Sequence, residues 1–453
     1  MAPDRSRAFL VTIAIMVAVG ACGGPAPSAL PASPEATSVS PSPAAGTAAP
    51  TTALAIDRPI ASAGSIAIRA PDGSLSLIDA DGKPTLLSDA ASGTFGFPTW
   101  SPDGSRIAAV RASGTGAELV MFDPSSSGGP VEPVVLLHNE AIEPFYLFWA
   151  PDGEAVSFLA NDESGLSLRI APTDGSAPVD GSAPGTKVRT GNPFYYDWIG
   201  RDRLIAHIGV GPQAFLGEIG LDGAAASAAL IDPGEFRSAV VNRDDTAIAF
   251  VRGRDRTASA IVLAARDGSG EHSMSVFGPS AIAFDPTGTT LAMIGPDEPV
   301  PPEVGFPVGP LRLIDAASGE IKTLIDGFIV GFWWSPDGQT IAALRVQPAI
   351  GSASGTSPGP SPTPMDNDVR LVFVDVASGR VRSQPVVQPG ERFIETFLVY
   401  FDQYALSHQI WAPDSSSFLL PEALPDGSTQ LTVRFPDGEE PIPLDGDIGF
   451  WSP

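Results

Sequence analysis

The sequence predicts an all-β fold, a closed ring of repeated four-stranded antiparallel units. Three observations predict it. Turn formers are abundant: 48 Gly and 47 Pro among 453 residues, about a fifth of the chain against roughly 12% in average usage. Charged residues are 17% and apolar residues 43%, so short apolar strands between tight turns can bury a large core. One phrase also returns along the chain: Trp100-Ser101-Pro102-Asp103-Gly104, then Arg106-Ile107-Ala108-Ala109-Val110.

In chain order, residues 1–21 read as an export signal. Arg5 and Arg7 give a basic start, and Ala8 to Gly20 is apolar except for Thr12. That run is too short to span a bilayer, which needs about 20 residues, and it fits a signal h-region. It ends in Val19-Gly20-Ala21-Cys22, with the only cysteine of the chain at the cleavage position. This resembles the bacterial lipobox, which implies a lipid on Cys22 and an extracytoplasmic, membrane-anchored location. Residues 22–56 are nearly all Ala, Pro, Ser, Thr and Gly, with Glu35 as the single charge. Such a stretch cannot bury a core and reads as a tether. The ring itself is expected over residues 57–453.

The phrase recurs at Trp149-Ala150-Pro151-Asp152-Gly153, Trp334-Ser335-Pro336-Asp337-Gly338 and Trp411-Ala412-Pro413-Asp414-Ser415. Weaker copies begin at Trp198, Asn242 and Phe284. Pro presets φ for a turn, Asp bonds its own backbone, and Gly takes positive φ. An apolar run lies on each side, so each phrase is a β-hairpin. Two more strand-like runs follow, as in Leu311–Asp315 and Ile321–Leu324 around Ala317-Ser318-Gly319. Four strands make a propeller blade.

The anchors at 100, 149, 198, 242, 284, 334 and 411 lie 42 to 50 residues apart, except the last interval of 77. That interval holds a Pro/Ser/Gly-rich insert at 348–368. The chain ends on a partial phrase, Phe450-Trp451-Ser452-Pro453, while its start offers an unmatched second strand, Ser65–Arg69. The C-terminal strand is therefore expected to complete the first blade, which removes the open edge of the ring. This gives an eight-bladed β-propeller. The alternative is seven, if the Trp198 or Asn242 copy is not a full blade.

The W-S-P-D-G-x-x-I-A phrase resembles the repeat of TolB-like, WD-type β-propellers over nearly all of residues 64–453. Related blades occur in the non-catalytic propeller of prolyl-oligopeptidase-type enzymes. The resemblance implies an interaction platform in the cell envelope. No amino-terminal TolB domain is recognisable, because the tether is too short and too polar.

Chemical motifs are sparse. Acidic residues number 52 against 26 basic, a net charge of −26, which argues against nucleic acid as a partner. One cysteine excludes a disulfide framework and a thiolate cluster. His138, His207, His272 and His408 show no metal-ligand spacing. No catalytic residue, metal or cofactor is assigned. Gly355-Thr356-Ser357-Pro358-Gly359 matches a nucleophile elbow in letters only, since it lies in the insert and not between a strand and a helix. Asp79-Ala80-Asp81-Gly82 lacks the later ligands of a calcium loop. The Asp of each Pro-Asp-Gly turn is expected to be structural.

The innermost strand of each blade runs into its anchor, and positions −1 and −3 share a strand face. Polar exceptions gather at Tyr195, Tyr196 and Asp197, at Arg237, and at Asp402, Gln403, Tyr404 and His408. Residues 391–410 bring several aromatics into what reads as a loop or long strand at the channel mouth. This is either a ligand rim, with aromatic faces and convergent polar groups, or a plug that satisfies its own hydrogen bonds. Two functions follow. One is a lipid-anchored extracytoplasmic platform for a protein or carbohydrate partner. The other is an enzyme, a hydrolase or lyase of envelope or extracellular polysaccharide, with its site in the channel. The second needs paired carboxylates or a metal, for which Asp197, Asp402 and His408 are the candidates.

Overall fold

The computed structural model describes residues 64–114, 116–125, 130–180, 187–210, 214–224, 238–253, 259–301, 304–348 and 367–453. The proposed signal (1–21), Cys22, the tether, Arg237 and nearly all of the 348–368 insert lie outside them.

The described strands form seven antiparallel sheets. The first holds β1 (Ile66–Arg69), β2 (Leu75–Ile78) and β3 (Pro84–Ser88). The second holds β4 (Thr94–Trp100), β5 (Ile107–Ser113), β6 (Gly116–Phe122) and β7 (Val134–His138). The third holds β8 (Glu143–Trp149), β9 (Ala155–Asp162), β10 (Gly165–Pro172) and β11 (Lys187–Thr190). The fourth holds β12 (Phe194–Ile199), β13 (Arg203–Ile208) and β14 (Phe215–Gly220). The fifth holds β15 (Ala239–Val241), β16 (Ala247–Gly253), β17 (Ser259–Ala265) and β18 (His272–Val276). The sixth has seven strands: β19 (Ala281–Phe284), β20 (Thr290–Ile294), β21 (Gly309–Asp315), β22 (Ile321–Trp334), β23 (Thr340–Pro348), β24 (Asn367–Asp375) and β25 (Val381–Val387). The seventh holds β26 (Phe418–Ala423), β27 (Thr429–Arg434) and β28 (Ile442–Leu444). The final strand, β29 (Ile448–Trp451), pairs with β1, Ile66 opposite Trp451 and Arg69 opposite Ile448. The C-terminal strand thus completes the first sheet, as expected from the split phrase.

The seven-stranded sheet is two four-stranded sets joined by β22. Its first half pairs with β21 through Ile321–Ile325, and its second half pairs with β23 through Trp334. The outermost strand of one repeat thus continues unbroken into the innermost strand of the next.

The repeated turns are built alike. Asp103 Oδ1 accepts the Ser105 N–H at 3.0 Å and the Ser101 hydroxyl at 2.6 Å, while Ser101 Oγ accepts the Arg106 N–H at 2.9 Å. The set recurs at Ser335, Asp337, Gln339 and Thr340. These bonds, the Ser101 hydroxyl first, pull the Asp103 carboxyl down to about 2. Gly104, Gly153 and Gly338 take φ of 69°, 71° and 70°. The turn after Trp411 and the weaker Asn242 copy fold the same way without glycine, with Ser415 and Asp245 at φ of 63° and 57°.

The anchor tryptophan has a specific task. Trp149 Nε1 donates to the Thr99 carbonyl at 3.1 Å, and Trp100 Nε1 donates to that of Phe450 at 3.0 Å. Trp334 Nε1 donates to Ala283 at 3.3 Å, and Trp411 Nε1 to Trp333 at 3.0 Å. In each case the acceptor immediately precedes the anchor of the preceding repeat, so the indole staples neighbouring blades. Trp198 Nε1 has no hydrogen-bond partner among the described residues. Replacing Trp100 by Phe is therefore expected to cost about 1–2 kcal/mol more than replacing Trp198 by Phe. Only the first change strands a buried carbonyl. Denaturant titration of the two variants checks this, and equal losses would refute the staple.

Candidate functional site

Residues 391–408 are helical, neither loop nor strand. A wide turn at Phe393–Phe397 leads through Leu398–Tyr400 into α1 (Phe401–Tyr404). The reason lies in the spacing: Phe393, Phe397, Phe401, Tyr404 and His408 recur at intervals of four and three, a helical stripe. All five are buried. The segment lies across the first strands of the sheets and closes the central channel.

Its apolar side fills the channel with rings. Tyr404 packs on Phe397 at 4.4 Å and on Tyr146 at 5.1 Å, and His408 packs on Phe450 at 4.7 Å. Phe401 meets Phe332 and Trp333 at 5.2 and 5.5 Å. A cavity of about 10 Å³ among Trp333, Phe401, His408 and Phe450 is at the lower limit for one water. Phe97 and Tyr146 reach the plug because β4 and β8 bulge there, with φ of 53° and 48°. These bulges interrupt the simple alternation expected of positions −1 and −3.

The polar side chains are committed as well. Gln403 binds β12 as a missing strand would. Its Oε1 accepts the Tyr196 N–H at 3.1 Å, and its Nε2 donates to the Tyr196 carbonyl at 2.8 Å. The same Nε2 donates to the Tyr146 hydroxyl, which donates in turn to the Gln403 carbonyl at 2.9 Å. The Tyr196 hydroxyl lies 3.1 Å from Ser157 Oγ on the third sheet. Burial pushes the phenols of Tyr146, Tyr196 and Tyr404 above the usual range, so they stay neutral donors.

Asp402 Oδ2 accepts the Ser238 hydroxyl. His408 Nδ1 lies 2.7 Å from Ser407 Oγ, and its Nε2 has no hydrogen-bond partner among the described residues. Burial lowers the imidazole to about 3, only partly opposed by the Phe97 backbone. His408 is thus neutral near pH 7. Tyr195 is buried and meets the half-exposed Tyr400 at 6.4 Å.

Asp197 points elsewhere. Its Oδ1 accepts the Trp198 N–H at 2.8 Å and its Oδ2 the Val241 N–H at 3.1 Å. It closes the seam between the fourth and fifth sheets. The two candidate carboxylates, Asp197 and Asp402, share none of these partners. Among the described residues, no group of three or more His, Cys, Asp or Glu is placed to hold a metal.

Sequence reasoning missed the partners that hold the plug. Tyr146 and Thr99, whose hydroxyl donates to the Ser407 carbonyl, belong to ordinary inner strands. The segment is also tied at its start. Asp447 Oδ2 accepts both Arg392 Nε, at 3.0 Å, and Arg69 NH1. Burial pushes the Asp447 carboxyl up against the pull of Arg69 and Arg392. These residues lie far apart in sequence, so only the helical period of 393–408 was open to a reader of the chain.

No family model matches the chain, and no curated protein matches its sequence. Solved structures do. TolB from Acinetobacter baumannii is 14% identical, with 86% of this chain and 67% of that one covered and a TM-score of 0.37. The β-propeller domain of the Trilobed protease from Pyrococcus furiosus is 14% identical, with 68% and 88% covered and a TM-score of 0.40. Dihydro-heme d1 dehydrogenase NirN is 13% identical, with 86% and 75% covered and a TM-score of 0.51. At these identities the likeness concerns the fold alone. The order of the sheets and the pairing of β29 with β1 give the same answer: the chain is a β-propeller closed by its own C-terminal strand.

Proposed function

We propose that this chain is a lipid-anchored, extracytoplasmic β-propeller that serves as an interaction platform for a protein or glycan partner. The observation that carries the reading is the filled channel. With residues 391–408 packed inside it, the outer loop faces are the surface left for recognition. Two large side chains outside those loops are also exposed, Tyr400 of the plug segment at 49% and Phe328 of β22 at 62%, and are available to a partner. The channel-sited hydrolase or lyase is the weaker reading, because Asp402, Gln403 and His408 are buried within the plug.

Anchoring is tested by metabolic labelling with a palmitate analogue and detergent phase partition. The parent is expected to be labelled and to enter the detergent phase, whereas Cys22→Ser remains unlabelled and aqueous. Equal behaviour removes the anchor. Recognition is tested with photo-crosslinkers at Tyr400 and Phe328 in intact cells, with buried Tyr404 as the control. A reproducible adduct from the exposed positions alone is expected. Release of sugar fragments from envelope polysaccharide by the purified chain would instead favour the enzyme.

A further inference from the structure

The seam between the third and fourth sheets is closed through the plug. At other seams the bonds run from sheet to sheet. Indoles staple the seams at Trp100, Trp149, Trp334 and Trp411. Between the fourth and fifth sheets, the Val241 N–H donates to Asp197 and Arg266 Nε donates to Glu218. Between the fifth and sixth, Asn242 Nδ2 donates to the Gly288 carbonyl at 3.3 Å. Where β29 meets the lead into the seventh sheet, the Trp451 N–H donates to the Gln409 carbonyl at 2.7 Å.

At the seam from third to fourth, Trp198 would need the Phe148 carbonyl, by the rule of the other anchors. Ser157 Oγ already donates to that carbonyl at 2.8 Å, and Trp198 Nε1 has no partner among the described residues. A hydroxyl carries one proton, so the Tyr196 hydroxyl, 3.1 Å away, is the donor to Ser157 Oγ. Tyr196 is held at its backbone by Gln403, whose Nε2 also donates to the Tyr146 hydroxyl. One plug side chain thus bonds β8 and β12 together. Tyr146, Ser157, Tyr196 and Gln403 are all buried. At the rim, Arg189 of β11 lies over the Phe215 ring of β14 at 4.4 Å.

We propose that the plug and this seam form one latch. The seam is closed while Gln403 sits between Tyr146 and Tyr196, and it is where the ring parts when the plug leaves. Without Gln403, the inner strands keep the Tyr196–Ser157 bond and the packing of Tyr146 on Tyr196 at 5.5 Å. Departure of the plug also strands the Tyr196 N–H and carbonyl, and the water that satisfies them enters beside the seam. The stapled seams keep their indole bonds, none of which involves the plug.

Thiol labelling and hydrogen exchange of the full-length chain test the latch. Ala206 and Leu168 belong to one buried cluster, whereas the alternate residue Ile205 turns to the fifth sheet. Ala206→Cys, placed in a Cys22→Ser background, therefore reports this seam. Ala108→Cys, at a site buried with Trp149 and Val156, reports a stapled one. The Ala405 and His408 amides, bonded within the plug at 2.8 Å, report plug release. The opening constants of Ala206→Cys and of the two amides are expected to agree within about threefold, and that of Ala108→Cys to be at least about tenfold smaller. Adding Gln403→Ala should raise the first two together, by about tenfold or more. If Ala206→Cys labels no faster than Ala108→Cys, or if the plug amides open without the seam, the inference is wrong. Those two comparisons need no change in the plug and stand even if Gln403→Ala folds poorly.

Discussion

Deleting residues 446–453 is expected to lower the melting temperature by roughly 10 °C and to promote self-association. The deletion removes β29, whose Ile448, Phe450 and Trp451 are each 2% exposed. Burial of such side chains contributes about 1.5–3 kcal/mol apiece, so the loss is roughly 6 kcal/mol, a large part of the stability of an ordinary domain. It also removes the Phe450 carbonyl that accepts the Trp100 indole and the ring that packs on His408. The Asp447 carboxylate that binds Arg69 and Arg392 goes with it. What remains is β1 with one unpaired edge, a template for another chain. Calorimetry and size-exclusion chromatography check both parts. An unchanged melting temperature would show that the ring does not depend on its closure.

The Gln403→Leu substitution should have the second largest effect, a destabilisation of about 3–5 kcal/mol. Leucine has similar bulk but leaves the Tyr196 N–H and carbonyl without their partner, and removes the donor to the Tyr146 hydroxyl. Each stranded buried group costs about 1–3 kcal/mol. Denaturant unfolding followed by tryptophan fluorescence measures the loss, and hydrogen exchange should localise it to β12. A loss below about 1 kcal/mol would mean that the plug is held by its rings alone. Phe401→Ala provides the comparison, since it removes buried ring surface and keeps the polar bonds.

Much of the fold could be read from the chain because its signals are local. The Pro-Asp-Gly turn needs positive φ at Gly104, Gly153 and Gly338, and each glycine takes it. The strand assignments at Ser65–Arg69 and Leu311–Asp315 match β1 and β21 to within a residue or two. The pairing of the two chain ends was legible because one phrase is split between them. The same reasoning misassigned residues 391–410. Their aromatics lie on a helical stripe, yet the neighbouring strands bias the reading toward β. Candidate residues were chosen as polar exceptions on inner strands and in the run leading to His408, and the structure places Tyr196, Gln403, Tyr404 and His408 near one another. That choice could not show that they bond one another.

By itself, then, the sequence determined the repeat, the turn chemistry, the strand order and the closure of the ring. These depend on backbone conformation and alternation within a few residues, and on the arithmetic of a split motif. Only the tertiary structure decided what fills the channel and which partner each polar side chain takes. Gln403 and Tyr196 are separated by 207 residues, and Asp197 and Val241 by 44. Those contacts exist because ring closure brings the first strands of successive sheets around one axis. Burial there, rather than residue type, sets whether His408 carries charge.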